Sequence, residues 1–405
     1  MQSVCVIGGG SAGAEAAREA VRDGARVTII EKAPGTEVPW KQWPDLIHRR
    51  VPPRALAESA PHLPLGVALL KAEARSVQGG TVLHSEGTSH FDAVIAATGS
   101  DSAPVTIRGC RKRGVHLLRS AGDFATLGRS RSSIARAVVV GEGMRALQVA
   151  DRLSGDGRSV RIVVTSWRHG VPSPDVLEVL KRAAEENHVA ITSGEVTQAV
   201  GQESLEAVVI GGSVTPSDAL VAIPLRVPRP VPTDAKIGWF GGLSVDHSLR
   251  TSSPHVLAAG GCAECFRPGS RPRLLDEEPG ISGRVAGANS LGYDLAIDPT
   301  TRWEVRAFGV IWSGVEFEPS VSEYSRASLG TVSRRSGLSA CSITFERSRG
   351  RVLKVESAQP EGSSLEGPPF SAVVPSLRSI AYGGSSDISL VSDTARMGLR
   401  IWSNF

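Results

Sequence analysis

Apolar and polar positions near the start of the chain change period twice within thirty residues. Val4, Val6 and Ile7 form a short apolar run that ends at Gly8-Gly9-Gly10, which predicts a strand buried on both faces and stopped by a turn. Ala14 to Arg22 then reads as a helix, and Val27 to Ile30 as a second buried strand closed by Glu31. The same succession returns in mid-chain. Val138 to Val140 predicts a strand, Gly141 to Ala146 a turn, Leu147 to Leu153 a helix and Val160 to Val164 the next strand. Strands alternating with helices predict an α/β protein with parallel sheets, its ligands at the carboxyl ends of the strands. Beyond these two units no internal repeat is found, and Pro360 to Pro369 reads as a Gly/Pro/Ser loop.

Composition narrows the function classes. The 405 residues exceed what one core usually serves, so two or three domains are expected. The net charge of +4 is spread out, with one short cluster at Arg108, Arg111, Lys112 and Arg113, which argues against nucleic-acid binding. No apolar run approaches the roughly 20 residues of a membrane helix. With no charged leader before the first strand, a cytoplasmic location is expected. Five scattered cysteines do not form a secreted disulfide framework.

The first unit carries specific chemistry. Gly8, Gly10 and Gly13 give GxGxxG between strand and helix. The first glycine permits the tight turn, the second lets a pyrophosphate approach the backbone, and the third lets helix and strand pack closely. The helix N-terminus faces the phosphates and Glu31 is placed for ribose hydroxyls. In the second unit Gly141 and Gly143 fill the first two positions and Ala146 the third. Thr165 and Ser166 stand where an acid is expected, followed by Arg168, and hydroxyls with a cation favour a 2′-phosphate, hence NADPH over NADH. Two such units suit one flavin and one nicotinamide nucleotide, as hydride transfer requires.

On these residues the chain resembles the pyridine nucleotide-disulfide oxidoreductases, the two-dinucleotide-domain flavoproteins that include glutathione reductase, dihydrolipoamide dehydrogenase and NADH oxidases. Phe91 to Ser100 is similar to the strand and ATG turn of that family's flavin domain, Val227 to Glu264 to its return crossing and last strand, and Leu274 to Gly292 to its flavin-facing helix. The resemblance implies two Rossmann-like three-layer domains, the first split around the second, plus a C-terminal α+β interface domain. The implied boundaries are 1–113 with 232–302 for FAD, 114–231 for NAD(P), and 303–405 for dimerisation, so a homodimer is expected. FAD would lie across Gly8, Gly10, Gly13, Glu31, Thr98 and Gly99, and NADPH or NADH would approach Gly141, Gly143, Ala146 and Arg168.

The departures from the family decide the chemistry. Where disulfide-reducing members carry two cysteines, "DLIHRRVPPRALAESA" places Asp45 and Arg50, and neither can cycle between thiol and disulfide. A different register, with Glu37 and Gln42, leads to the same conclusion. The family's Lys–Glu pair beside the flavin maps to Arg54 and Gln148, taken as the catalytic candidates. Its ribityl-binding aspartate maps to Gly261, and Pro279 sets a later start for the flavin-facing helix. The family's C-terminal histidine acid–base catalyst is missing, since the last histidine is His255.

Other residues carry two readings each. Cys262 and Cys265 form a CxxC that is a redox pair, half a metal site or, since no second CxxC exists, a pair without chemistry. Trp40, Lys41 and Trp43 form an aromatic lid or ordinary packing. No histidines stand at metal-ligand spacing, so no metal is expected. The expected function is an FAD-dependent NAD(P)H oxidoreductase passing electrons to oxygen, a quinone, another small molecule or a protein. The alternatives are a non-catalytic relative serving as subunit or nucleotide sensor, and a disulfide reductase using Cys262 and Cys265.

Overall fold

The chain opens with β1 (Ser3–Ile7), in which every residue after Ser3 is buried, then α1 (Ser11–Arg22) and β2 (Arg26–Ile30). On α1 the small residues Ala12, Gly13, Ala16, Ala17 and Ala20 point inward, while Glu15–Arg18 and Glu19–Arg22 pair on the solvent face one helical turn apart. Gly24, at φ +85°, ends the helix as its amide and that of Ala25 bond back to Val21 and Ala20. There follow β3 (Ala68–Leu70), β4 (Ala93–Ala96), β5 (Val115–Leu117) and α2 (Ala121–Ser130). The second strand–turn–helix is β6 (Arg136–Glu142), α3 (Gly143–Leu153), β7 (Ser159–Ser166), α4 (Pro174–Glu186) and β8 (Val189–Ser193). β9 (Ala219–Ala222), β10 (Val256–Ala258) and α5 (Pro279–Asn289) complete the parallel sheets and their helices. The last strands are β11 (Thr301–Ala307), β12 (Val310–Glu316), β13 (Leu329–Ser336), β14 (Ser339–Glu346) and β15 (Val352–Pro360).

This computed structural model describes residues 1–32, 43–48, 65–167, 171–266, 273–275, 279–297, 301–316, 329–346 and 352–361. The chain divides into two compact units. The first takes Met1–Val105, Leu118–Ser130 and Pro224–Asp298. Its parallel sheet has the order β10-β4-β1-β2-β3. α1 packs against α5 along a seam of small residues, where a Cβ on Gly283 would lie 2.2 Å from the Ala12 carbonyl oxygen and one on Gly287 2.5 Å from that of Ala16. α5 begins at Pro279 itself, a favoured first helical residue because its missing N–H needs no partner there.

The second unit takes Thr106–Leu117, Arg131–Ile223 and the described residues of Pro299–Phe405. Its parallel sheet runs β8-β7-β6-β9-β5. α4 opens on Pro174 with Asp175 in its first turn and buries Val176, Val179, Leu180, Ala183 and Ala184, an i, i+3, i+4, i+7, i+8 stripe. The described C-terminal residues form an antiparallel sheet, β11-β12-β15-β14-β13, that packs on α4 within this unit.

Candidate functional site

The first turn is held open by backbone geometry. Gly8 sits at φ +103°, where L side chains are strained, and a Cβ there would come within 2.4 Å of the Ala97 carbonyl oxygen. At Gly13 a Cβ would lie 1.9 Å from the Gly8 carbonyl oxygen, so the helix rests directly on the turn. Gly10 caps α1 in extended conformation without any side-chain bond to the helix amides. Those N–H groups carry the partial positive charge of the helix end. Glu31 leaves β2 and its Oε2 accepts the Gly9 amide at 2.8 Å, which fixes the carboxylate against the turn. A flavin adenine dinucleotide fits this arrangement: uncapped helix amides suit its pyrophosphate, and the anchored carboxylate suits a ribose.

The neighbouring loop is fastened from the return crossing. The Thr98 hydroxyl donates to the Arg229 carbonyl, the Arg229 amide donates to the Gly99 carbonyl at 3.0 Å, and the Arg229 guanidinium bonds Thr98 O at 2.9 Å and Asp101 at 3.2 Å. Arg226 binds Ser100 through both its hydroxyl, at 3.2 Å, and its carbonyl, and reaches Ser102 Oγ and Arg119 O at 3.3 Å. Gly261 is buried within a 3-10 turn, Gly260–Cys262, and a Cβ at Gly261 would stand 3.1 Å from Ser100 Oγ. The place that resemblance gives to an aspartate is thus closely faced by a serine hydroxyl and its arginine. Gly260, at φ +69°, donates its amide to Ser282 Oγ of α5 at 3.0 Å and lies where a Cβ would meet Ala12 at 2.8 Å.

The second turn is built differently. A Cβ on Gly141 would lie 2.9 Å from Ile223 Cβ, and Ala146 is buried on α3. Glu142, between the two glycines, is itself the N-cap of α3, and its carboxylate accepts the Met144 and Arg145 amides at 3.2 and 3.3 Å. At Gly143 a Cβ would fall 2.2 Å from Cε3 of Trp167, so the indole lies directly on the glycine backbone. Trp167 meets Trp312 of the C-terminal sheet edge-on at 5.6 Å, and Trp312 meets Trp303 at 6.0 Å. The Trp312 indole donates to Glu356 at 3.2 Å, and that buried carboxylate also accepts the Ser173 amide at 2.8 Å and pairs with Lys354 at 3.2 Å.

The remaining sequence candidates fall as follows. Gln148 lies on α3, half-buried. Thr165 and Ser166 stand exposed at the end of β7, whereas Arg168 lies outside the described residues, as do Arg54, Arg50, Glu37, Gln42, Trp40 and Lys41. Trp43 packs against Phe124 of α2 at 5.5 Å, with the Arg226 guanidinium 5.8 Å above its ring. Cys262 and Cys265 are free thiols, both buried. Burial pushes the Cys262 thiol up, only partly countered by hydrogen bonding with Thr98 and Gly99, so it is not a poised thiolate. Among the described residues no cluster of His, Cys, Asp or Glu could hold a metal, and no helix is long and apolar enough to cross a membrane. Sequence reasoning missed Glu142 as a cap and Trp167 as a cover. An acid one residue before a helix was a readable cap signal, but nothing in the sequence foretold the tryptophan contact.

Two dinucleotide-binding folds, one interrupting the other, define a two-nucleotide oxidoreductase architecture. Residues 2–281 match the pyridine nucleotide-disulphide oxidoreductase family, and the chain belongs to it. It is 27% identical over 303 residues to rhodocoxin reductase of Rhodococcus erythropolis, covering 66% of each chain. It is also 27% identical over 179 residues to rubredoxin-NAD(+) reductase of Pseudomonas putida, covering 43% of this chain and 46% of the relative. The matches therefore span under two thirds of these relatives' lengths. Among solved structures the putidaredoxin reductase–putidaredoxin complex matches with a TM-score of 0.72 at 19% identity, covering 94% of this chain and 93% of the other. By their names these relatives are reductases of rhodocoxin, rubredoxin and putidaredoxin.

Proposed function

We propose that the chain is an FAD-dependent NAD(P)H oxidoreductase whose flavin passes electrons to an acceptor other than a disulfide. The observation that carries this reading is the first turn, where uncapped α1 amides and the anchored Glu31 carboxylate make a dinucleotide cradle whose tight backbone a Cβ at Gly8 or Gly13 would force apart. When bound, FAD would supply the redox chemistry, namely hydride acceptance from a reduced nicotinamide and electron release singly or in pairs. The protein's own part is orientation: Gly8, Gly10 and Gly13 place the pyrophosphate, Glu31 the ribose, and the Thr98–Ser100 loop, clamped by Arg226 and Arg229, one wall of the site. Arg54 and Gln148 are the candidates for groups beside the reacting ring, and Gly141, Gly143, Ala146 and Arg168 for the nicotinamide nucleotide. The names of the relatives favour a small redox protein as acceptor, and a homodimer through the C-terminal region accords with the family resemblance.

Disulfide reduction is disfavoured by the buried, desolvated Cys262 and by the absence of cysteine from residues 6–109. A second reading, a flavin-fold scaffold without turnover, is favoured by one observation, the Glu142 carboxylate already occupying the α3 amides. An absorbance spectrum between 300 and 600 nm, followed by anaerobic addition of NADPH and then NADH, separates the two. Flavin bands that bleach are expected. A colourless protein that takes up no added FAD would sink the proposal.

A further inference from the structure

The two glycine turns of this chain share a sequence pattern and differ in what touches them. In the first, Gly10 offers α1 no side-chain cap. In the second, Gly143 is in contact with an indole and the helix amides are bound by a carboxylate. The Trp167 atoms Cε3, Cζ3 and Cδ2 stand 2.2, 2.3 and 2.7 Å from the position of a Gly143 Cβ, so its six-membered ring covers the backbone a pyrophosphate must approach. Glu142 adds a second obstruction, since an incoming phosphate would meet satisfied donors and a like charge.

We infer that Trp167 and Glu142 are an internal latch on the second dinucleotide turn, held shut by the C-terminal sheet, and that a nicotinamide dinucleotide binds only after displacing it. This rests on the proposed NAD(P)H donor. The hold is a continuous set of contacts within one unit: Trp167 on Trp312, Trp312 on Trp303, the Trp312 indole on Glu356, and Glu356 on the Ser173 amide ahead of α4. Lys354 balances the buried Glu356 and lies 5.5 Å from the Trp303 ring, which fixes the sheet's end of the latch. Trp167 itself is only half-buried, at the end of a strand and outside the sheet core, so it is the member free to leave. A protein whose binding-competent form is a minor population binds with its affinity reduced by that fraction. Nucleotide affinity then depends on residues of the C-terminal sheet.

The test uses the full-length, FAD-loaded protein. Dissociation constants for NADPH and NADH are measured anaerobically by calorimetry, with the flavin reduced beforehand so that no hydride transfer contributes heat, for the wild type and for Trp167→Ala, Trp167→Phe, Trp312→Phe and Glu142→Gln. A latch closed 90 to 99% of the time predicts that Trp167→Ala lowers the apparent Kd about ten- to hundredfold, with Trp167→Phe between it and the wild type. Acrylamide quenching gives a second readout: nucleotide should raise the exposure of a tryptophan in the wild type and not in Trp167→Phe. If Trp167→Ala fails to fold, the Trp312→Phe affinity and the wild-type quenching decide. Equal Kd values across the series, or wild-type binding with unchanged quenching, overturn the latch while leaving the oxidoreductase reading intact. Binding by none of the proteins overturns it as well. If their flavin then bleaches with dithionite but with neither nucleotide, the proposed donor falls too.

Discussion

Substituting Gly283 by alanine tests whether the α1–α5 seam sets the shape of the first cradle. A Cβ at 283 would stand 2.2 Å from the Ala12 carbonyl oxygen and 3.0 Å from its carbon. Both obstacles are backbone, so no side-chain rotation relieves them, and the helices must separate by about 0.8 Å to reach the shortest contacts that real Cβ atoms make. Overpacking of this kind costs about 3 kcal/mol, while the better helix propensity of alanine returns about 1 kcal/mol, leaving a net loss of about 2 kcal/mol. For a domain of ordinary size this lowers the thermal midpoint by roughly 4–8 °C. Because Ala12 belongs to the first turn of α1, the same displacement moves the amides proposed to hold the pyrophosphate, so FAD affinity should fall with stability. Gly280→Ala is the control. It lies one turn earlier on the same helix, where a Cβ meets Glu15 Cγ at an ordinary 3.5 Å and Arg284 Nη1 at 4.0 Å, and it should be neutral or slightly stabilising. Paired thermal melts followed by circular dichroism, with flavin release followed by fluorescence, make the comparison. Equal midpoints and equal FAD retention for the two variants would refute the argument.

Further predictions concern single groups. Asp218 accepts from the Arg136 guanidinium and from the amides of Arg136 and Ala135, and these contacts hold its carboxyl below the usual carboxylate range. Its contribution is therefore complete above the ordinary aspartate range and lost as pH falls through the lowered value. Asp218→Asn should destabilise at neutral pH, and the gap from wild type should close in acid denaturation followed below about pH 4. Glu264, buried at 1% exposure, accepts the Trp239 and Phe240 amides at 2.6 and 2.8 Å. Glu264→Ala should cost about 2 kcal/mol in urea unfolding and expose the 236–242 loop to proteolysis, and an unchanged midpoint would contradict this. Cys262 and Cys265 should resist a thiol reagent in the native protein, and Cys262→Ser/Cys265→Ser should leave anaerobic flavin reduction unaltered. Rapid native labelling located by peptide mapping at Cys262 and Cys265, and not only at the less buried Cys110 and Cys341, would reopen the redox reading of that CxxC.

Local pattern made the dinucleotide units legible because each of their elements declares itself within a few residues. The apolar run Val4–Ile7, the glycine spacing and Glu31 predicted a strand, turn, helix and acid, and β1, α1, β2 and the Gly9–Glu31 bond stand there. The predicted helices at Ala14 and Leu147 begin earlier, at Ser11 and Gly143, because Gly13 and Gly143 lie within the first helical turn, while Gly10 stays extended as the cap of α1. Gly143 marks where such reading stops. The spacing called for a glycine to admit a phosphate, whereas the same lack of a side chain admits the ring of Trp167, twenty-four residues on. Nor does a pattern of period two disclose that β12 and β15 bring Trp312 and Glu356 to the second parallel fold, since that pairing depends on tertiary contacts.

The order of β10 in the first sheet has a consequence for synthesis on the ribosome. Val256 pairs with Val94, and the Gly283 that fits against Ala12 comes later still, so a nascent chain ending at residue 223 carries β4 with a bare edge and α1 with its alanine face uncovered. The second unit waits in turn for strands beyond residue 300. The first unit is interrupted by the second and closes only after residue 223 has been passed, while the second closes only after the first is complete. A ribosome that stalls in mid-chain therefore leaves unfinished surfaces of both exposed, where chaperone protection is needed.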